Sequence, residues 1–204
     1  MRLPRVLVGF AIALSIGSAA CHHRASSSTA PGTQPAASPR QAFTPADVEF
    51  MQGMIGHHTQ AILMVKLLKT RTQSDDMKML ALRIEVSQTD EIKMMKTWLA
   101  DRKQDVPDDG EYQMMMQMPE HAMPGMLTQK EMDQLAAVKG PEFDRQFLEG
   151  MIKHHQGAIT MVQKLMASPG GGQESAVFAF ASDVQSDQTT EINRMRAMRA
   201  TMGK

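Results

Sequence analysis

One cysteine in 204 residues excludes a disulfide framework within the chain. Aromatic residues are nearly as scarce, with one Trp, one Tyr and seven Phe, so a core has to be filled by other side chains. Lys and Arg number 22, and Asp and Glu number 22, which leaves no basic surplus for binding nucleic acid. No apolar run reaches the ~20 residues that span a bilayer, and no period-two alternation marks strands. A nucleophile–base pattern, a phosphate-binding glycine loop and a dinucleotide fingerprint are all missing. What the chain does have is methionine, 21 residues of it, unevenly spread.

The first twenty residues read as an export signal. Arg2 and Arg5 precede the apolar run Val6 to Ile16, and Ser18-Ala19-Ala20 lead to Cys21. A lone Cys after small residues resembles a bacterial lipobox, in which the thiol is acylated, although Ser18 stands where that motif carries Leu. The expectation is an exported lipoprotein, anchored to a membrane through Cys21 and facing the periplasm or the cell exterior. An ordinary export signal with an incidental Cys is the alternative. Loss of residues 1–20 removes two Arg and no acid, leaving a mature chain with two more acids than bases. Residues 26–40 are rich in Ser, Thr, Ala, Pro and Gln without apolar periodicity, the composition of a flexible linker. The chain thus divides into a signal peptide over 1–20, a lipidated Cys and linker over 21–43, and one domain over 44–204.

That domain is duplicated. Phe50-Met51-Gln52-Gly53-Met54-Ile55-Gly56-His57-His58 recurs 97 residues later as Phe147-Leu148-Glu149-Gly150-Met151-Ile152-Lys153-His154-His155, and the match continues through Ala61-Ile62, Met64-Val65 and Leu68. Gln88, Glu91, Ile92 and Met95 recur 100 residues later as Gln188, Glu191, Ile192 and Met195. Each repeat reads as two helices in series. Thr44-Pro45 opens the first, which runs to about Lys69, and the second spans about Asp75 to Asp101. Pro141 opens the third, which stops before Ser168-Pro169-Gly170-Gly171-Gly172, and the last runs to about Met202. Thr128 and Glu131 form a capping box for a short extra helix between the repeats. Apolar stripes at helical spacing and short loops within each repeat predict an all-α, antiparallel four-helix bundle built from two helical hairpins, with a Met-rich connection.

On a helical wheel with Phe50 at 0°, His58 falls at about 80°, inside the apolar stripe, and His57 at about 340°, at its edge beside Met64. His155, His154 and Met161 repeat these positions. A buried neutral imidazole needs hydrogen-bond partners or a metal. Gln88 and Glu91, and their repeats Gln188 and Glu191, lie on inward stripes and are candidates for the supporting shell. Two readings stay open: a satisfied polar layer that fixes bundle register, or ligation by His57, His58, His154 and His155 with Met54, Met64, Met151 and Met161. Imidazole with thioether suits copper in either oxidation state, and thioether alone favours Cu(I) or Ag(I).

The stretch 114–126 holds six Met and one His in thirteen residues: Met114, Met115, Met116, Met118, His121, Met123 and Met126. Elsewhere Met is a flexible core filler, which accounts for Met77, Met79, Met94, Met95, Met195 and Met198. Here Pro119, Pro124 and Gly125 forbid a regular helix, and exposed thioethers have little packing value, so a soft-metal site is the direct explanation. A lid over the bundle end is the other. Imidazole must be deprotonated to bind, so with an ordinary pKa near ~6.5 a His site should weaken toward pH 5 while thioethers hold.

Phe50-x-x-x-Met54-Ile55-x-His57-His58-x-x-Ala61-Ile62, the segment Pro124-Gly125-Met126-Leu127-Thr128, and Phe143-Asp144-x-x-Phe147-Leu148-x-x-Met151-Ile152-x-His154-His155-Gln156-Gly157-Ala158-Ile159 resemble the domain-of-unknown-function 305 family. The resemblance covers roughly residues 44–202. It implies a ferritin-like four-helix bundle and copper or silver binding at His57, His58, His154, His155 and nearby Met, since the family includes a periplasmic copper-binding protein. The expectation is a non-enzymatic protein that sequesters or hands on copper. A ferritin-like dinuclear oxidase competes, but that chemistry typically uses Glu-x-x-His pairs, and the residues three before the bundle His are Met54, Ile55, Met151 and Ile152. A metal-free interaction module or methionine oxidant sink is the third reading.

Overall fold

Each helix begins where the sequence supplies a start signal. The computed structural model describes residues 42–108 and 123–203, and its helices are α1 (Pro45–Arg71), α2 (Asp75–Asp101), α3 (Gln129–Ala137), α4 (Gly140–Ala167) and α5 (Ser175–Thr201). Thr44 and Asp47 form a reciprocal capping box at α1, and Thr128 and Glu131 do the same at α3. Ser74 caps α2, the Glu174 carboxylate accepts from the Ala176 and Val177 N–H groups at α5, and α4 carries Pro141 in its first turn. Among the described residues there is no strand, and no helix is long and apolar enough to cross a membrane. Cys21, the signal and linker residues, and Met114, Met115, Met116, Met118 and His121 lie outside the described residues.

The helices pair by sequence order. Near the start of α1, Gln52 Nε2 donates to the Asp105 carbonyl beyond the end of α2 (2.9 Å), and near its end Lys69 pairs with Glu85 (2.7 Å), so α1 and α2 run antiparallel. Glu149 and Arg199 (2.9 Å) fix the same arrangement for α4 and α5. The hairpins join through α1 and α4, where Glu49 pairs with Lys164 (2.7 Å). A buried Asp47 ties the two repeats at one end, accepting from the Gly172 N–H (2.7 Å). Gly172 stands at φ 67°, a backbone that other residues adopt only with strain.

Two apolar clusters fill the interior. One gathers Met64, Val65 and Leu68 of α1 with Leu80 and Ile84 of α2, Phe143, Phe147 and Met151 of α4, and Met195 of α5. The other gathers Phe50, Met51 and Met54 with Met95, Trp98, Val162, Phe180 and Val184. Burial of a side chain such as Phe147 contributes about 1.5–3 kcal/mol. Between the clusters in chain order, on every long helix, stand the polar residues His57, His58, Gln88, Glu91, His154, His155, Gln188 and Glu191, and the fold is arranged about this layer.

Two placements differ from the sequence reading. Met79 is 50% exposed and is no core filler. His57, placed at the stripe edge, is fully buried, because α4 and residues 123–127 cover that side of α1 and widen its buried face.

Candidate metal centre

Of the four imidazoles of the polar layer, His57 and His154 meet, as their shared wheel position implies. All four are fully buried. His57 and His154 stack across the α1–α4 interface with ring centroids 3.8 Å apart, and each lies 6.3–6.4 Å from its own neighbour, His155 or His58.

Hydrogen bonding sets the tautomers. The His58 Nε2–H donates to Glu91 Oε2 at 2.5 Å, and the His155 Nε2–H donates to Glu191 Oε2 at 2.6 Å. The His57 Nε2–H donates to the Pro124 carbonyl at 3.0 Å, an oxygen that can only accept. In a neutral ring the other nitrogen then carries a bare lone pair. These three Nδ1 atoms are buried and have no hydrogen-bond partner, and at His154 both ring nitrogens lack one. Gln88 is also buried with its amide unpaired, as is the Gln188 Oε1. Buried polar atoms are rarely left this way, since each costs about 1–3 kcal/mol.

Burial lowers the His57 pKa to about 3, helped by the neighbouring His58 and His155 and opposed by the Pro124 hydrogen bond. His154 is lowered well below its ordinary value by burial and by His57, His155 and His58. Both rings are therefore neutral lone-pair donors far into acid. Glu91 and Glu191 are about one-fifth exposed and reach the α2–α5 seam. An open groove of about 470 Å³ lies there, lined by Val86, Ser87, Asp187 and Glu191 among others. Ser87 Oγ donates to Glu91 Oε1 (3.2 Å). The Asp187 pKa is raised by partial burial and by the charges of Glu91, Asp183 and Glu191, so the imidazoles back onto an acidic seam.

Three features of the centre escaped the sequence reading. Gln60, at about 280° on the wheel and so off the stripe, is fully buried and clamps residue 127 from both sides: its Nε2 donates to the Leu127 carbonyl and its Oε1 accepts the Leu127 N–H, both at 2.8 Å. The Pro124 backbone crosses Gly157 so closely that a Cβ there would lie 1.9 Å from the Pro124 oxygen. The repeated glycines face methionines of the opposite repeat. A Cβ on Gly53 would lie 3.3 Å from Met161 Cε and 3.6 Å from Met123 Sδ, and one on Gly150 would lie 3.2 Å from Leu127 Cδ2 and 3.3 Å from Met64 Cε. The recurrence of Gly at both positions was the available signal.

Of the described sulfur candidates, Met54, Met64 and Met151 are fully buried, whereas Met123, Met126 and Met161 are half-buried. Met54 and Met151 stand one helical turn from the His pairs on the same faces. Among the described residues, no group of three or more His, Cys, Asp or Glu side chains is gathered closely enough to hold an ion by itself.

Paired buried histidines on a duplicated helical scaffold define a class of protein. The chain belongs to the DUF305 family (Domain of unknown function), whose model matches residues 47–199. Its structure is similar to a DUF305 protein from Streptomyces coelicolor, at TM-score 0.67 and 27% identity over 78% of this chain and 94% of that one. It is also similar to CopM in the Cu(I)-bound form, at TM-score 0.60 and 28% identity over 80% of this chain and all of CopM. CopM is known as well in Cu(II)-bound, Ag-bound and apo forms. In sequence, 63 residues are 43% identical to the uncharacterized protein L153 of Acanthamoeba polyphaga mimivirus, and the chain spans 41% of that protein's length.

Proposed function

We propose that this protein is an exported, non-enzymatic carrier that sequesters or hands on copper, and binds silver by the same donors, within an antiparallel ferritin-like four-helix bundle. The observation that carries the reading is the set of buried Nδ1 lone pairs. A polar layer whose only task is to fix register would satisfy its imidazoles on both nitrogens. Here His57, His58 and His155 are each held through Nε2 by an oxygen and left bare at Nδ1, the arrangement by which a second partner orients an imidazole for a metal. Met54, Met64, Met151 and Met161 supply thioethers beside them, and Met114, Met115, Met116, Met118, His121, Met123 and Met126 form a separate soft-donor segment. The existence of CopM with Cu(I), Cu(II) and Ag, at 28% identity in each of those three forms, supports the choice of ion.

The metal is cargo in this reading. Glu91 and Glu191, which a dinuclear oxidase would need as bridging ligands, are each already bonded to an imidazole, which favours carriage over oxidation chemistry. We further propose that the chain is tethered at Cys21, for which an acylated Cys21 in the mature N-terminal peptide is the expected mass.

Metal analysis of protein purified without a His tag, after separate loading with Cu(I), Cu(II), Ag(I), Zn(II) and Fe(II), tests the function. Retention of copper and silver, reduced in His57→Gln and His154→Gln, is the expected result. Retention of none, or of Fe(II) alone, would overturn it.

A further inference from the structure

The two repeats offer a soft ion different surfaces, and the difference lies in one residue. On the α4 side Leu127 covers the Gly150 notch, and Met64 beneath it is fully buried. On the α1 side the place of Leu127 is taken by Met123, whose sulfur, like the Met161 methyl, faces Gly53, and both methionines are half-buried. A pair of partly accessible thioethers therefore stands at one notch, and a sealed thioether at its pseudo-equivalent.

The notch is joined to the buried imidazoles. Gly53 is one helical turn, about 6 Å, from His57 on the same face of α1. Met161 is two turns from His154 on α4. Pro124, the residue after Met123, accepts the hydrogen bond from His57. His57 and His154 are in ring contact and hold unpartnered nitrogens. In the sequence, Met114, Met115, Met116 and Met118 precede Met123.

We propose that Met123 and Met161, both facing Gly53, form a single asymmetric port for a soft monovalent ion, Cu(I) or Ag(I), leading to the His57–His154 pair, and that Leu127 closes the equivalent port of the other repeat. The proposal rests on the copper-carrier reading and adds where the ion passes and how many ports there are. Gly53 matters because a Cβ there would enter the space that both side chains face, 3.3 Å from Met161 Cε and 3.6 Å from Met123 Sδ. Thioethers suit this position because they hold Cu(I) and Ag(I) without a proton to lose and exchange them readily with neighbouring sulfur or imidazole. A duplicated bundle thereby acquires one direction of loading rather than two.

The test uses Ag(I), which has no redox chemistry to confuse the readout, and the full chain labelled with 13C at the methionine methyls. Each signal is assigned by its Met→Leu variant. The Met123 and Met161 methyl signals should shift together at the same Ag(I) concentration, while Met64 stays unmoved. Met123→Leu should raise the Ag(I) needed to move the Met161 signal at least tenfold, and Met161→Leu should do the same to Met123. Leu127→Met is close to volume-conserving and keeps the fold, and it should bring Met64 into the response. Equal shifts at Met64 and Met161 in the wild type, or a silent Met161 in a protein that binds Ag(I) elsewhere, would overturn the port and leave the carrier reading intact. Absence of any Ag(I)-dependent shift at any methionine methyl, together with no Ag(I) retained by the protein, would overturn both.

Discussion

His57 of the first repeat and His154 of the second lie ring against ring, 3.8 Å between centroids and 38° between planes, at the centre of the α1–α4 interface. Equivalent positions of a duplicated sequence thus meet across the α1–α4 interface. Two imidazoles this close inside an apolar interior cannot both be charged, because each proton would sit beside the other without water to screen it. The pair is therefore neutral, and each ring keeps a nitrogen lone pair without a hydrogen-bond partner.

Acid should destabilise the protein through this pair. The folded-state pKa of His57 is depressed from 6.5 to about 3 by burial, and that of His154 is depressed in the same direction. The unfolded chain therefore binds more protons between those values, so stability is complete above about pH 6.5 and falls as pH drops toward 3. For His57 this costs about 1.4 kcal/mol per pH unit in that window. Tm of the metal-free protein should fall steadily from pH 7 to pH 4, and His57→Leu should flatten the slope. A wild-type Tm constant over that interval would refute the coupling. For His57 and His154 the same shifts revise the expectation that a His site weakens as pH drops toward 5, which assumed an ordinary imidazole pKa. Protons compete weakly at His57 and His154, so copper held there should be retained at pH 5 nearly as at pH 7, as competition with a chelator at both pH values would show.

Glu91 and Glu191 should matter to metal affinity although they need not touch the ion. Each fixes one imidazole through Nε2 and so decides which nitrogen faces inward. Glu91→Ala leaves a buried N–H unsatisfied, at about 1–3 kcal/mol, and lets the His58 ring turn. Loss of such an orienting partner typically lowers metal affinity on the order of 10–100-fold. Glu91→Gln keeps an acceptor without the charge and should fall between wild type and Ala in both denaturant stability and chelator competition. Equal affinities for all three proteins would show that Glu91 serves folding alone.

The scaffold was legible because it is written twice. The repeated Phe-x-x-x-Met-Ile-x-His-His pattern, the Thr44-Pro45 start, the Thr128 box and the inward Gln and Glu located the helices, and the wheel gave the two His pairs equivalent positions. What it missed lies where the repeats differ. Gln60 stands where the second repeat has Gly157, and no periodicity shows that one clamps a connection while the other yields it space. The wheel also assumes one buried stripe per helix, so it set His57 at an edge that residues 123–127 in fact cover. Met79 shows the reverse error, since composition cannot tell a packed thioether from an exposed one.

The connection over the centre should be held by two devices that fail differently. At Gly157 an added Cβ would stand 1.9 Å from the Pro124 oxygen and 2.7 Å from Gly125 Cα, both backbone atoms that cannot swing aside. Gly125 itself stands at φ 77°, a backbone that other residues adopt only with strain. Gly157→Ala should therefore lift residues 124–127 off α4, break the His57–Pro124 hydrogen bond and cost about 1–3 kcal/mol. Gly53→Ala is the control, because there the nearest atom is the end of the Met161 side chain, which can move, and its cost should be well under that. Gln60→Leu removes both hydrogen bonds to Leu127 without adding bulk against the backbone, leaving a buried N–H and C=O unpaired at about 1–3 kcal/mol each. Both Gly157→Ala and Gln60→Leu should speed trypsin cleavage at Lys130, whose segment is anchored to the helices through Leu127, while Gly53→Ala leaves the rate unchanged. Protection of Lys130 equal in all four proteins would show that the connection is held by something other than Gly157 and Gln60.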